Sequence, residues 1–174
     1  MEFKGKGAPL TAQGVAAACD TLGIGDVELW TVMQVETKGC GFLPDRRLKI
    51  LFERHWFHKF TDGRFSQARP DISSAEAGGY AGGAAEFARL AAAMEFDRLA
   101  ALKSTSWGLG QIMGFNAGRA GFADAGAMVA AFADGEDAQA QAMAAYIAGG
   151  AEAAALREHR WEEFAAKYNG PSYK

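Results

Sequence analysis

Glu36, in the stretch VETKGCGFLPD (35–45), is the acidic residue whose position most demands a chemical role. Leu29, Val32, Met33 and Glu36 recur at i, i+3, i+4 and i+7, so on a helix Glu36 continues an apolar stripe, while Glu28, Thr31 and Gln34 lie toward the other side. A carboxyl in that setting loses hydration as an anion. The C-terminal end of a helix also disfavours negative charge, so both effects push its pKa up. A proton held near neutral pH is what a general acid needs. The ordinary alternative is a frayed last turn that lets the carboxylate reach water or an arginine.

A second carboxylate would complete a pair able to work from opposite sides of a sugar ring. Glu53 is the preferred candidate, on the more polar face of a predicted strand beside Lys49 and His55; Asp45 and Asp62 are rivals. An ion pair with Arg47 or Arg54 is the structural alternative for Glu53. In STSWGLGQIMG, Gly108 and Gly110 interrupt a run read as helix, at about 1 kcal/mol each relative to alanine, a cost that implies close approach of another backbone or a ligand. Gln111 can donate to and accept from hydroxyls and N-acetyl groups, and Trp107 can stack on a sugar face, although tryptophans are more often core. In KYNGPSY, Gly170 and Pro171 stop the last helix, which leaves Tyr168 and Asn169 at a helix end.

The elements that must position these groups read as mostly helical. Thr11 caps a helix through AQGVAAACDTL that Gly23 stops, and Asp26 caps VELWTVMQVET. LKILFERH alternates as a strand, with Leu48, Ile50 and Phe52 on one face and Lys49, Leu51, Glu53 and His55 on the other. HWFHKFTDG is a short helix or irregular continuation ending at Asp62-Gly63. The segment 65–83 is a long, glycine-rich surface loop. AAEFARLAAAMEFDRLAALK reads as one strong helix, STSWGLGQIMGFN as a short one, and DAGAMVAAFADG, EDAQAQAMAAYIAGG and RWEEFAAKYNG as three more. The fold class expected is mainly α (α+β): a helical domain with a small β element near its N-terminal third.

The 174 residues, 49% of them hydrophobic, suit one domain with a proper core, and a net charge of -3 argues against gripping nucleic acid through bulk positive charge. Arg46, Arg47, Lys49 and Arg54 cluster in sequence and read as a solvated surface. The two cysteines, Cys19 and Cys40, form no metal or disulfide pattern; Cys19 reads as a buried thiol, and Cys40 as a loop thiol without a visible histidine partner. No run is long enough to span a bilayer, and the first residues do not read as a signal peptide. The expectation is a monomer made in a cytoplasm, with any export by another route, and with no membrane insertion, metal or cofactor.

VETKGCGF, KILFERHWFHKFT, SWGLGQIMGFN and YNGPSY, in that order, resemble the N-acetylmuramidase family of phage endolysins and bacterial cell-wall hydrolases. GLGQIM and YNG are also similar to motifs of goose-type lysozymes and soluble lytic transglycosylases. The resemblance implies a lysozyme-like fold with a β-hairpin and a groove for a peptidoglycan strand, cut at the β-1,4 bond between N-acetylmuramic acid and N-acetylglucosamine. It gives Glu36 the general-acid role; some lysozyme-like families do without a second carboxylate, and Glu53 is the candidate that the residues themselves offer, with Asp45 or no residue as the alternatives. Ser106, Trp107, Gln111, Tyr168 and Asn169 become sugar-holding residues. Relatives often read ESxG where Thr37 and Lys38 follow here. Many also carry a wall-binding domain for which these residues leave no room, so the expectation is one catalytic domain over 1–174, released to the wall through a holin-type pore. A weak preference for inversion follows, with the 1,6-anhydro-forming transglycosylase and a non-catalytic wall-binding module as alternatives.

Overall fold

The computed structural model describes residues 3–37 and 40–169. Helix α1 (Ala12–Leu22) starts where the Thr11 hydroxyl accepts from the Gly14 N–H and stops where Gly23 turns left-handed at φ 67°. Helix α2 (Asp26–Thr37) buries Leu29, Val32 and Met33, the predicted stripe, and leaves Val27, Trp30 and Val35 outside. After a loop, β1 (Ile50–Phe52) leads directly into α3 (Arg54–Phe60). Then come α4 (Glu86–Phe96), α5 (Arg98–Lys103), β2 (Thr105–Trp107), β3 (Ile112–Met113), α6 (Ala125–Asp134), α7 (Glu136–Ala148), α8 (Glu152–Arg157) and α9 (Trp161–Asn169). This is a mainly helical fold with a small antiparallel sheet, as the fold class expected from the sequence requires.

Three expectations change. The strand read through LKILFERH stops at Phe52; Glu53 is the residue before α3, and Arg54 and His55 already belong to that helix. The long helix through 84–103 is two helices, because Asp97 leaves the helical region (φ -155°, ψ 100°) and its carboxylate caps the Ala100 N–H of α5. A short polar side chain that bonds its own downstream backbone competes with the helix ladder and wins here. STSWGLGQIMG is a β-hairpin, not a helix. Its strand β2 pairs antiparallel with β1 (Ile50 opposite Trp107, Leu51 opposite Ser106, Phe52 opposite Thr105) and with β3 (Ser106 opposite Met113, Trp107 opposite Ile112). The β element is thus completed by residues far along the chain.

Strand alternation then sorts the side chains. Leu48, Ile50 and Phe52 are buried as the sequence pattern requires, and Trp107 and Ile112 join them on the core face. Leu51, Ser106 and Met113 take the opposite face. The core continues through Phe57, Leu90, Leu102, Met128, Phe132 and Met143, with α1 packed along α7. The packing at the hairpin turn is tight. Gly108 sits at φ +66°, and a Cβ there would fall 2.6 Å from Gln139 Oε1 and 3.0 Å from a Phe132 ring carbon. The glycines of this stretch admit α7, as a close approach of another element requires.

The basic cluster is not a free patch. Arg46 donates to the Gly7 carbonyl. Arg47 pairs with Asp45 at 2.6 Å and lies 4.4 Å above the Phe87 ring. Arg54 donates to the carbonyls of Pro70, Glu76 and Ala77 and so ties down the long loop. Cys19 is half-buried, with its thiol pushed up by burial and then by nearby acids; Cys40 is exposed, and both are free.

Candidate active site

The groove-facing side of the sheet opens on a cavity of about 380 Å³. It is lined by Glu53 from the end of β1, Ser106, Gly110, Gln111 and Met113 from the hairpin, Asn116 beyond it, Tyr146 from α7 and Tyr168 from α9. Four of the candidate site residues read from the sequence, Glu53, Ser106, Gln111 and Tyr168, therefore meet on one surface. Ser106 reaches it and Trp107 does not for the same reason: neighbours on a strand point to opposite faces.

Trp107 is a correction. It is 0% exposed, its ring packs 5.1 Å from that of Phe3, and its Nε1 donates to the Leu102 carbonyl at 3.1 Å. No ring face is left for a sugar.

Glu53 is held in an unexpected way. It stands between β1 and α3, with its N–H on the Ser104 carbonyl and its own carbonyl accepting from Trp56 and Phe57. Its carboxylate is 15% exposed and pairs with neither Arg47 nor Arg54. Instead the Tyr80 hydroxyl donates to it, 2.9 Å from Oε2 and 3.1 Å from Oε1. His55 Nδ1 lies 3.2 Å from Oε2, close enough for an ion pair when the ring is protonated but without hydrogen-bond alignment. Burial first, and then the Glu53 carboxylate, push the Tyr80 phenol above its usual pKa, so it stays a proton donor at neutral pH.

Gln111 adopts φ +46°, and its amide is turned inward: Oε1 accepts from the Ser106 hydroxyl at 3.0 Å, and Nε2 donates to the Gly108 carbonyl at 2.8 Å. The side chain closes the hairpin while forming part of the groove wall. The Tyr168 hydroxyl donates to the Gly110 carbonyl at 3.1 Å, its ring stacks on Phe164, and Tyr146 meets it edge-on. Arg119 lies 3.8 Å over the Tyr146 ring and pairs with buried Glu152, which fixes that wall.

Helix α2 runs through Thr37, so position 36 stands on the line of Leu29, Val32 and Met33. The Glu36 side chain itself lies outside the described residues, as do the side chain of Asn169 and residues 170–174. The loop leaving α2 is anchored next to the groove: the Gly41 N–H donates to Glu136 Oε1 at 2.8 Å, the Gly41 carbonyl accepts from Lys49, and a Cβ at Gly41 would fall 1.8 Å from Gln139 Oε1.

Asp45 lies on another surface, with Phe3, Lys4, Arg47 and Phe87, and hydrogen bonds from Arg47 hold its carboxyl below the usual carboxylate range. Asp62, left-handed at φ 52° just beyond α3, is not among the groove residues. Sequence reasoning passed over Tyr80, Asn116 and Tyr146. A lone tyrosine between glycine pairs in EAGGYAGG, and one in the alanine-rich run of α7, were the available signals. Among the described residues no cluster of His, Cys, Asp and Glu could hold a metal ion, and no helix is long and apolar enough to cross a membrane.

A family model described as Muramidase, N-acetylmuramidase, matches residues 27–174. Among solved structures, the crystal structure of the Burkholderia AP3 phage endolysin is similar at a TM-score of 0.89 and 39% identity, over 94% of this chain and 65% of that one. The chain thus spans about 65% of the length of that endolysin. No curated protein sequence matches it significantly.

Proposed function

This chain belongs to the N-acetylmuramidase family, and from that premise we propose that it is an endolysin-type peptidoglycan hydrolase that cuts the β-1,4 bond between N-acetylmuramic acid and N-acetylglucosamine and so lyses the host wall. The observation that carries this reading is the shared groove: Glu53 after β1, Ser106 and Gln111 from the hairpin and Tyr168 from α9 line one cavity, next to which Gly41 is anchored.

In this reading a glycan strand lies along the groove. Glu36 enters protonated and donates to the leaving glycosidic oxygen as oxocarbenium character develops on the sugar. Glu53 supplies the negative charge on the other side, either to stabilise the cation or to orient a water. Ser106 and Gln111 present a polar wall, and Tyr146 and Tyr168 add aromatic rings to the lining. Asn169 follows directly after Tyr168. Asp45 is set aside as the second carboxylate, because Arg47 holds it on a different surface.

The test is Glu36→Gln, assayed by release of reducing ends from purified sacculi. The expected loss is on the order of 10²-fold or more, with unchanged folding. Parental turnover by this variant removes Glu36 from the reaction. Mass spectrometry of the products separates hydrolysis from the transglycosylase alternative, since a hydrolysed product is heavier by one water. Binding to sacculi without any release of reducing ends would instead assign the chain to the wall-binding modules.

A further inference from the structure

The loop at 74–83 is built as if to deliver one side chain. Four glycines, 78, 79, 82 and 83, hold positive φ around Tyr80. The ends of the segment are fixed to the body of the protein. Arg54 donates to the Glu76 and Ala77 carbonyls at 3.0 and 3.2 Å. On the other side of Tyr80, the N–H groups of Ala81 and Gly82 donate to Glu86 Oε1 at 2.6 and 2.9 Å. Glu86 is fully buried, and its second oxygen accepts from the Phe52 N–H at 3.2 Å and from Arg89 at 2.9 Å. The carboxylate that pins the loop is therefore bonded to the last residue of β1, next to Glu53. The loop cannot drift relative to Glu53 without breaking its hydrogen bonds to Glu86 and Arg54.

Tyr80 is itself 48% exposed, so core packing does not explain the placement. Its hydroxyl spans both oxygens of the Glu53 carboxylate. A carboxylate on a short side chain at the edge of a groove has several rotamers available, and one donor aimed at both oxygens selects among them. We propose that Tyr80 is a positioning residue for the reaction, holding the Glu53 carboxylate oriented toward the groove through a loop latched by Glu86. The proposal rests on the reading of Glu53 as the second carboxylate, and it adds a residue that the sequence motifs do not contain.

Tyr80→Phe keeps the ring and removes only the donor. The experiment measures kcat and KM on soluble peptidoglycan glycan chains for the parent, Tyr80→Phe, Glu53→Gln and the double variant, with an unfolding midpoint for each. The expected result is that Tyr80→Phe lowers kcat about tenfold, the scale of one hydrogen bond to a charged group, with KM and the midpoint unchanged. In the Glu53→Gln background the same change costs less than about twofold, because a residue acting through another has nothing left to act on. Equal losses in both backgrounds, or a raised KM at parental kcat, overturn the positioning role. An impaired Glu53→Gln beside a Tyr80→Phe at the parental rate overturns it alone and leaves the reading of Glu53 standing. A Glu53→Gln at the parental rate sinks that reading, and the role of Tyr80 with it.

Discussion

Removing the Glu86 carboxylate has consequences that can be worked out atom by atom. Glu86→Ala leaves the N–H groups of Phe52, Ala81 and Gly82 and the Arg89 guanidinium without their acceptor. Ala81 and Gly82 are exposed in the loop and can rehydrate. The Phe52 N–H is buried, and Arg89, whose side chain is 11% exposed, remains pinned by the Phe52 and Asp71 carbonyls over the Phe52 ring. Breaking one side of a buried ion pair costs about 3–5 kcal/mol, which for a chain of this size lowers Tm by roughly 6–20 °C. Glu86→Gln should cost less, about 2–3 kcal/mol, because one oxygen still accepts from the loop while the new amide donor meets other donors. Replacing both partners, Glu86→Leu with Arg89→Met, should recover part of the loss, because no buried charge is then left unpaired. Urea unfolding with a common m value measures all three, and amide exchange at Ala81 and Gly82 reports whether the loop opens. A Glu86→Ala protein within about 1 kcal/mol of the parent, at equal m, would show that water replaces the carboxylate and that this node does not hold the loop.

Three further outcomes follow from the geometry. Gly108→Ala forces a side chain into a left-handed turn against Gln139 and Phe132, so it should destabilise by about 1–3 kcal/mol by denaturant unfolding. Trp107→Ala should cost about 3–5 kcal/mol as a core truncation, while the activity of the fraction that still folds stays near parental, since the ring does not line the groove. Asp45→Asn should leave turnover unchanged. Because Arg47 depresses the Asp45 carboxyl, its contribution to stability is present above the ordinary value of 3.8 and is lost as pH falls through the lowered one. The stability gap between parent and variant should therefore close in acid, as read by unfolding midpoints across pH.

How much of this was legible depended on how local each cause was. Caps act within a few residues, so both ends of α1, at Thr11 and Gly23, could be read directly. The alternation at Leu48, Ile50 and Phe52 also picked the correct buried face. Asp97 carried the same kind of capping signal, but strong helix formers on both sides hid the break. The hairpin at Thr105–Met113 was misread because its strand partner is β1, far upstream. A three-residue strand has no periodicity of its own, and pairing in the folded chain overrides local propensity.

The site shows the same division. Motif content gave Glu53, Ser106, Gln111 and Tyr168, but only strand register separates Ser106 from its neighbour Trp107, and register is a property of two segments together. The first turns of α7 make the same point from below the groove. Glu136 takes the N–H groups of Gly41 and Leu10, and buried Gln139 takes that of Leu109 while donating to the Phe132 carbonyl. One helix end thus holds both the loop that follows the predicted acid and the hairpin turn that walls the groove. In sequence those two residues look like ordinary helix polars. Their importance comes from two glycine-bearing turns, 41 and 108–110, whose missing side chains allow α7 to come within bonding distance of both. A glycine read as a cost in one segment is therefore evidence about a polar residue in another, and the pair is recognisable only when both are seen to need the same space.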